Sequence, residues 1–229
     1  MVTVFAHSEV GDRHVNEDAW AVQPHPSVPE LWLGFVADGQ GGFSGGGEAA
    51  RLACETGLRL AELWHPDELL AATAWAELLH RVDEVVRADA MAGLTTLVGV
   101  GVHQGRIVGA SHGDSAALLV AAGTATELTT GQHRRHPIGS GDALATPFVA
   151  AVSRPWRLVL MTDGAWKYAG WGRVVELARE STGSALIQRL RDAASLPATG
   201  KLPDDFTVVV LDELAATVDS NTPSVRSAI

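Results

Sequence analysis

Three apolar runs of this chain end on an aspartate, and a fourth begins with two. "LWLGFVAD" closes on Asp38, "RIVGASHGD" on Asp114 and "RLVLMTD" on Asp163, while Asp204 and Asp205 open "DDFTVVVL". The runs carry the Val, Leu, Phe and Trp of buried strands. In an antiparallel sheet the end of one strand lies beside the start of the next, so these acids are able to share one edge. Glu17 and Asp18, in "RHVNEDAW", precede another strand and join the set. Ionised carboxylates packed together repel unless they are protonated or bridged by cations. Oxygen-only ligands favour Mg²⁺ or Mn²⁺ over zinc. A single aspartate at a strand end more simply caps a turn. The same pattern at four strands, with glycine adjacent at three, favours a cation site.

Asp38 is followed by six glycines among residues 39–47. Glycine lets backbone approach a ligand closely or take φ > 0, which suits a hard cation or a phosphate. A Gly-rich surface turn with a solvated aspartate reads equally well from this stretch alone. The 229 residues are 46% hydrophobic, enough for a sizeable core. A formal net charge of −10 makes nucleic acid and anionic membrane poor partners. No long apolar run predicts a membrane span, and the first residues lack the pattern of a signal peptide. Cys54 is the only cysteine, which leaves no internal disulfide and no thiolate cluster. A cytoplasmic protein, monomeric by default, is expected.

The spacing predicts strands near 1–6, 20–23 and 31–37, then an amphipathic helix over 48–64 and a second from Pro66 to about Met91. "TTLVGVGV" and "RIVGASHGD" read as a hairpin turning at Gln104-Gly105, with Val98, Val100 and Val102 on one face and Gly99 and Gly101 thinning the other. Strands follow at 116–121 and 126–128, then a polar loop over 129–146. A buried strand leads into "TDG", helices follow over 171–180 and 184–194, and "DDFTVVVL" is the last strand. That order favours an α+β fold of packed antiparallel sheets over a parallel βαβ sheet. No linker divides the chain. Residues 1–212 read as one domain and 213–229 as a flexible tail.

The ordered set "RHVNEDA", "VADGQGG", Thr95-Thr96, "GDS", "TDG" and "DDFT" resembles the metal-dependent serine/threonine protein phosphatases of type 2C, from about Arg13 to Leu211. The resemblance implies a four-layer αββα sandwich of two mainly antiparallel sheets flanked by helices, with two Mg²⁺ or Mn²⁺ ions at one end and a possible third. It assigns Asp38 as the carboxylate bridging both metals and the Gly39 carbonyl as a further ligand. Asp163 and Asp204 become direct ligands of one ion, Asp18 or Glu17 serves the second, and Asp114 the third. Arg13 stands where the family places its phosphate-binding arginine. A planar guanidinium suits phosphate oxygens as a lysine does not. The implied reaction is hydrolysis of phosphoserine or phosphothreonine in proteins by a metal-bridging hydroxide. Cys54, in a helical apolar context, reads as core.

The chain departs from the family pattern at several positions. Gln40 stands where some members carry a histidine proposed as general acid, leaving the proton donor unassigned. Ala116 replaces the arginine of the usual GDSR, Thr162 a common serine, and Asp205 an asparagine, so either Asp204 or Asp205 is the ligand. The stretch from "GDS" to "TDG" is short, which trims the substrate-facing flap. His112 reads as a substrate contact or as a structural histidine. His133 and His136, flanking Arg134 and Arg135, read as a basic patch near the site or as a solvated loop. Trp166, Lys167 and Tyr168 read as packing and surface. The alternative to an active phosphatase is a weak or inactive relative that binds phosphoproteins. A third option is the same fold acting on small phosphate esters or a transcriptional regulator.

Overall fold

The apolar runs are strands, and they form two five-stranded antiparallel sheets in a computed structural model that describes residues 1–40 and 44–213. In chain order the strands are β1 (Thr3–Glu9), β2 (Asp18–His25), β3 (Val28–Asp38), β4 (Leu97–His103), β5 (Arg106–His112), β6 (Ala116–Ala121), β7 (Thr124–Glu127), β8 (Thr146–Ala151), β9 (Trp156–Met161) and β10 (Phe206–Glu213). One sheet has the order β1-β10-β9-β6-β7 and the other β2-β3-β4-β5-β8. Helices α1 (Gly46–Leu63) and α2 (Ala72–Ala88) cover the second sheet. Helices α3 (Asp163–Ala169), α4 (Trp171–Glu180) and α5 (Gly183–Ala194) cover the first. This is the αββα sandwich that the resemblance implied.

The central strands β4, β5, β9 and β10 are buried on both faces, which explains why they read as continuous apolar runs, whereas edge strand β8 alternates. Along β10, Val208 and Val210 face the helices while Val209 and Leu211 face the other sheet. Val36, Val98, Val100 and Val102 meet Leu158, Leu160, Val209 and Leu211 between the sheets. On the opposite face of β4, Gly99 and Gly101 leave room for Phe35 and Trp75, each of which lies 2.7 Å from where a Cβ would stand.

Three elements differ from expectation. The second helix does not start at Pro66: a short 3-10 turn, Glu68–Leu70, is followed by extended Ala71, and α2 begins afterwards. The Trp75 indole N–H donates to the Leu69 carbonyl at 2.9 Å, drawing that carbonyl out of a continuous helical ladder. At its other end α2 stops at Ala88, where the Asp89 carboxylate accepts the Met91 and Ala92 N–H groups. Strand β8 lies inside and beyond what read as loop; it is an edge strand, where Pro147 needs no ladder donor. The "TDG" turn is itself the first turn of α3. The expected tail, apart from Glu213 at the end of β10, lies outside the described residues.

Candidate metal centre

Strand register brings the acids together. Asp18 is the first residue of β2 and Asp38 the last of β3, and the two are direct cross-strand partners. In the other sheet, β6, β9 and β10 meet at Met161, which pairs with both Ala116 and Val208. Asp114, Asp163 and Asp204 flank those strand ends. The Thr162 hydroxyl joins the two sheets: it donates to Asp18 Oδ2 at 2.8 Å and accepts the Thr207 N–H at 3.1 Å.

The remaining motif residues hold this edge in place. The Asp38 carbonyl accepts the Thr95 hydroxyl at 2.8 Å and the Thr96 N–H at 2.9 Å, while the Asp38 N–H donates to Thr96 Oγ1. Thr96 Oγ1 lies 2.7 Å from Ser115 Oγ, linking "TT" to "GDS". Gly39 serves a close approach, though of backbone to backbone. A Cβ there would stand 2.3 Å from the Gly46 carbonyl group and 2.7 Å from the Glu17 carbonyl oxygen. The glycines at 41 and 42 lie outside the described residues.

Burial first, then the charges of Asp18 and Asp163, push Asp38 up to about 9. Burial likewise raises Asp18 to about 7 against hydrogen bonds from Thr162 and Thr207. Asp114 is raised by burial and by Asp163, opposed by Arg134 and Lys167. Arg13 hydrogen-bonds Glu17 and reaches Asp204 Oδ1 at 2.9 Å, and Lys167 Nζ lies 2.9 Å from Asp163 Oδ2. With these cations among the acids, the described residues contain no three His, Cys, Asp or Glu side chains already converged as a cage. The donor set nevertheless suits hard divalent cations. It is all oxygen, burial raises Asp18, Asp38 and Asp114, and Asp18 Oδ1 is buried with no hydrogen-bond partner.

Two candidates look different in three dimensions. The Asp205 carboxylate is engaged by backbone: its Oδ1 accepts the Gly11 N–H and its Oδ2 the Glu17 N–H, both at 2.8 Å. His112 is 0% exposed and its Nδ1 lies 3.0 Å from the Leu144 carbonyl oxygen. Its Nε2 is buried with no hydrogen-bond partner, and no part of the ring reaches the surface where a substrate contact was expected. Trp166, expected only to pack, donates its indole N–H to the Asp114 carbonyl at 3.0 Å. The basic run borders the site, since the His133 carbonyl accepts the Gly113 N–H at 2.8 Å. Cys54 is buried in the core, and burial pushes its thiol far up. A cleft of about 1320 Å³ beside Trp32, Trp64 and Trp156 opens at the β2–β3 and β4–β5 turns, the far end of the sheets, and takes no part in this cluster.

A profile of the protein phosphatase 2C family matches residues 7–196. The chain belongs to the protein phosphatase 2C family. Solved structures agree on the fold of this phosphatase 2C domain. A bacterial serine phosphatase is similar at 18% identity with a TM-score of 0.77, over 94% of this chain and 99% of that one. Serine/threonine phosphatase Stp1 from Staphylococcus aureus gives 17% and 0.76, over 94% and 96%. The catalytic domain of the serine/threonine phosphatase PstP, solved in complex with two manganese ions, gives 22% and 0.75, over 93% and 99%. A search of curated proteins found no match. Among the described residues, no helix of this phosphatase 2C domain is long and apolar enough to cross a membrane.

Proposed function

We propose that this phosphatase 2C domain is a Mg²⁺- or Mn²⁺-dependent hydrolase of phosphoserine and phosphothreonine in proteins. The observation that carries the reading is the edge where Asp18, Asp38, Asp114, Asp163 and Asp204 gather, with an unpartnered Asp18 oxygen and Arg13 beside them. Asp38 and its cross-strand partner Asp18 would hold the cations together with Asp163 and Asp204, and Asp114 and Glu17 would add further carboxylates. Divalent cations held there supply Lewis acidity and acidify water, the chemistry a phosphate ester needs for hydrolysis. The manganese pair in the PstP complex supports that ion class for this chain.

Arg13 is fixed over the acids by Glu17 and Asp204, and a guanidinium has donors left for phosphate oxygens after two such bonds. Gln40 is exposed two residues after Asp38 and carries no dissociable proton, so it does not supply a proton to the leaving alkoxide. The basic run at 133–136 lies along the rim beside Asp114, where a phosphopeptide would approach. Cys54, fully buried, is no nucleophile, and no phosphoenzyme is required.

Turnover of p-nitrophenyl phosphate and of a phosphothreonine peptide tests the reading. Activity should require Mn²⁺ or Mg²⁺, vanish with EDTA, and fall about a hundredfold or more in Asp38→Ala. Folded wild-type protein that binds Mn²⁺ and turns over neither substrate would overturn it in favour of a phosphoprotein-binding module.

A further inference from the structure

The geometry points to Asp205 as a positioning residue that clamps the segment carrying Arg13, and not as a metal ligand. Its carboxylate is 3% exposed and spends one oxygen on each end of that segment, the Gly11 and Glu17 amides, both at 2.8 Å. Residues 11–17 thereby form a loop pinned at its two ends from a point nearly the whole chain away in sequence. The loop fits tightly at the first pin, because a Cβ on Gly11 would stand 2.2 Å from the Asp204 carbonyl carbon. A side chain bond braces the second: Asn16 Nδ2 donates to Ser8 Oγ, which lies 2.7 Å from Thr207 Oγ1. Arg13 rises between the pins and meets Asp204, whose own carboxylate accepts the Asp205 N–H at 3.0 Å.

The clamp has a chemical requirement. Both partners are N–H donors, so both side-chain atoms must accept. Only a carboxylate does that; an asparagine has one acceptor and would set its NH₂ against the other amide. The division of labour in "DDFT" follows, with Asp204 meeting Arg13 at 2.9 Å and facing the proposed cations, and Asp205 bonded to the loop backbone with Arg13 Nη1 farther off, 3.9 Å from its Oδ2. The consequence for phosphate binding rests on the function proposed above; the clamp itself does not.

Asp205→Asn separates the two. Mn²⁺ affinity by titration calorimetry should stay within about threefold of wild type, whereas Asp204→Asn should lose it. Amide exchange over residues 11–17 should rise about tenfold or more. KM for a phosphothreonine peptide should rise about tenfold with a smaller change in kcat, and Asp205→Asn should add nothing to KM in an Arg13→Ala background. A tenfold loss of Mn²⁺ affinity in Asp205→Asn, unchanged loop exchange, or a KM penalty that persists without Arg13 would overturn the assignment. If the variant does not fold, wild-type exchange decides: Gly11 and Glu17 amides should be protected relative to those of His14 and Val15, and equal rates would overturn it. The calorimetric and exchange results stand whether or not the protein turns over phosphopeptide.

Discussion

The Thr162 hydroxyl donates to Asp18 while accepting the Thr207 N–H, so a single buried oxygen ties an acid of one sheet to the backbone of the other. Thr162→Val keeps the shape and removes both bonds, leaving the buried Thr207 N–H unpartnered and the Asp18 carboxylate with one donor fewer. Urea denaturation of the metal-free protein should show a loss of about 2 kcal/mol, and a change under 0.5 kcal/mol would deny the hydroxyl this role. The acids themselves were legible in the sequence because strand ends and family motifs both mark them. Their division into roles was not. Asp204 and Asp205 are neighbours of the same residue type, and what distinguishes them is two amides at Gly11 and Glu17, far away along the chain. The surroundings of His112 were illegible for the same kind of reason: spacing puts it near Asp114, and only packing shows that it is buried.

Strand β1 is fastened to α5 by Arg191, whose guanidinium grips both Glu9 oxygens at 2.7 and 2.8 Å. That hydrogen bond, joined by one from His7, lowers Glu9 from the ordinary 4.5 to about 2. A depressed carboxyl pKa contributes stability above its unfolded value, and the contribution is lost as pH falls through the folded value. Glu9→Gln should therefore cost about 1 kcal/mol near neutral pH, after discounting for solvent screening of a partly exposed pair. Denaturation across pH should show the gap to wild type closing between about pH 4.5 and 2. A gap that holds constant there would assign the cost to packing. At this scale long periodic segments such as α1, α4 and α5 were readable from apolar spacing. The break before α2 was not, because it follows from Trp75 reaching the Leu69 carbonyl. Nor was β8, whose edge position tolerates a proline that local reading counts against a strand.

Across the whole molecule, burying carboxylates at one edge is a cost of folding, which the cations of the proposed function would offset. Asp38 is held near 9 and Asp18 near 7 in the folded protein, so both retain protons that ligation must displace. Calorimetry of Mn²⁺ binding near pH 7 in buffers of different ionisation enthalpy should show net proton release. Binding should also raise the unfolding midpoint: at a hundred times Kd the linkage is about 2.7 kcal/mol, or roughly 5–10 °C for a chain of this size. EDTA should reverse the shift. No proton release and no shift would mean that these carboxylates do not hold the ion.

The sequence by itself determined which residues lie at strand ends, that the strands are apolar on both sides, and hence a layered α+β fold with carboxylates gathered at one edge. Those properties are local or periodic, written in runs of a few residues. The tertiary structure alone decided that Asp18 faces Asp38, that Thr162 bridges the sheets, and that the Asp205 carboxylate accepts the Gly11 and Glu17 amides of the loop. Each depends on a hydrogen bond or strand register between segments remote in the chain, and such pairings leave no trace in local composition because many partners of the same type would satisfy it.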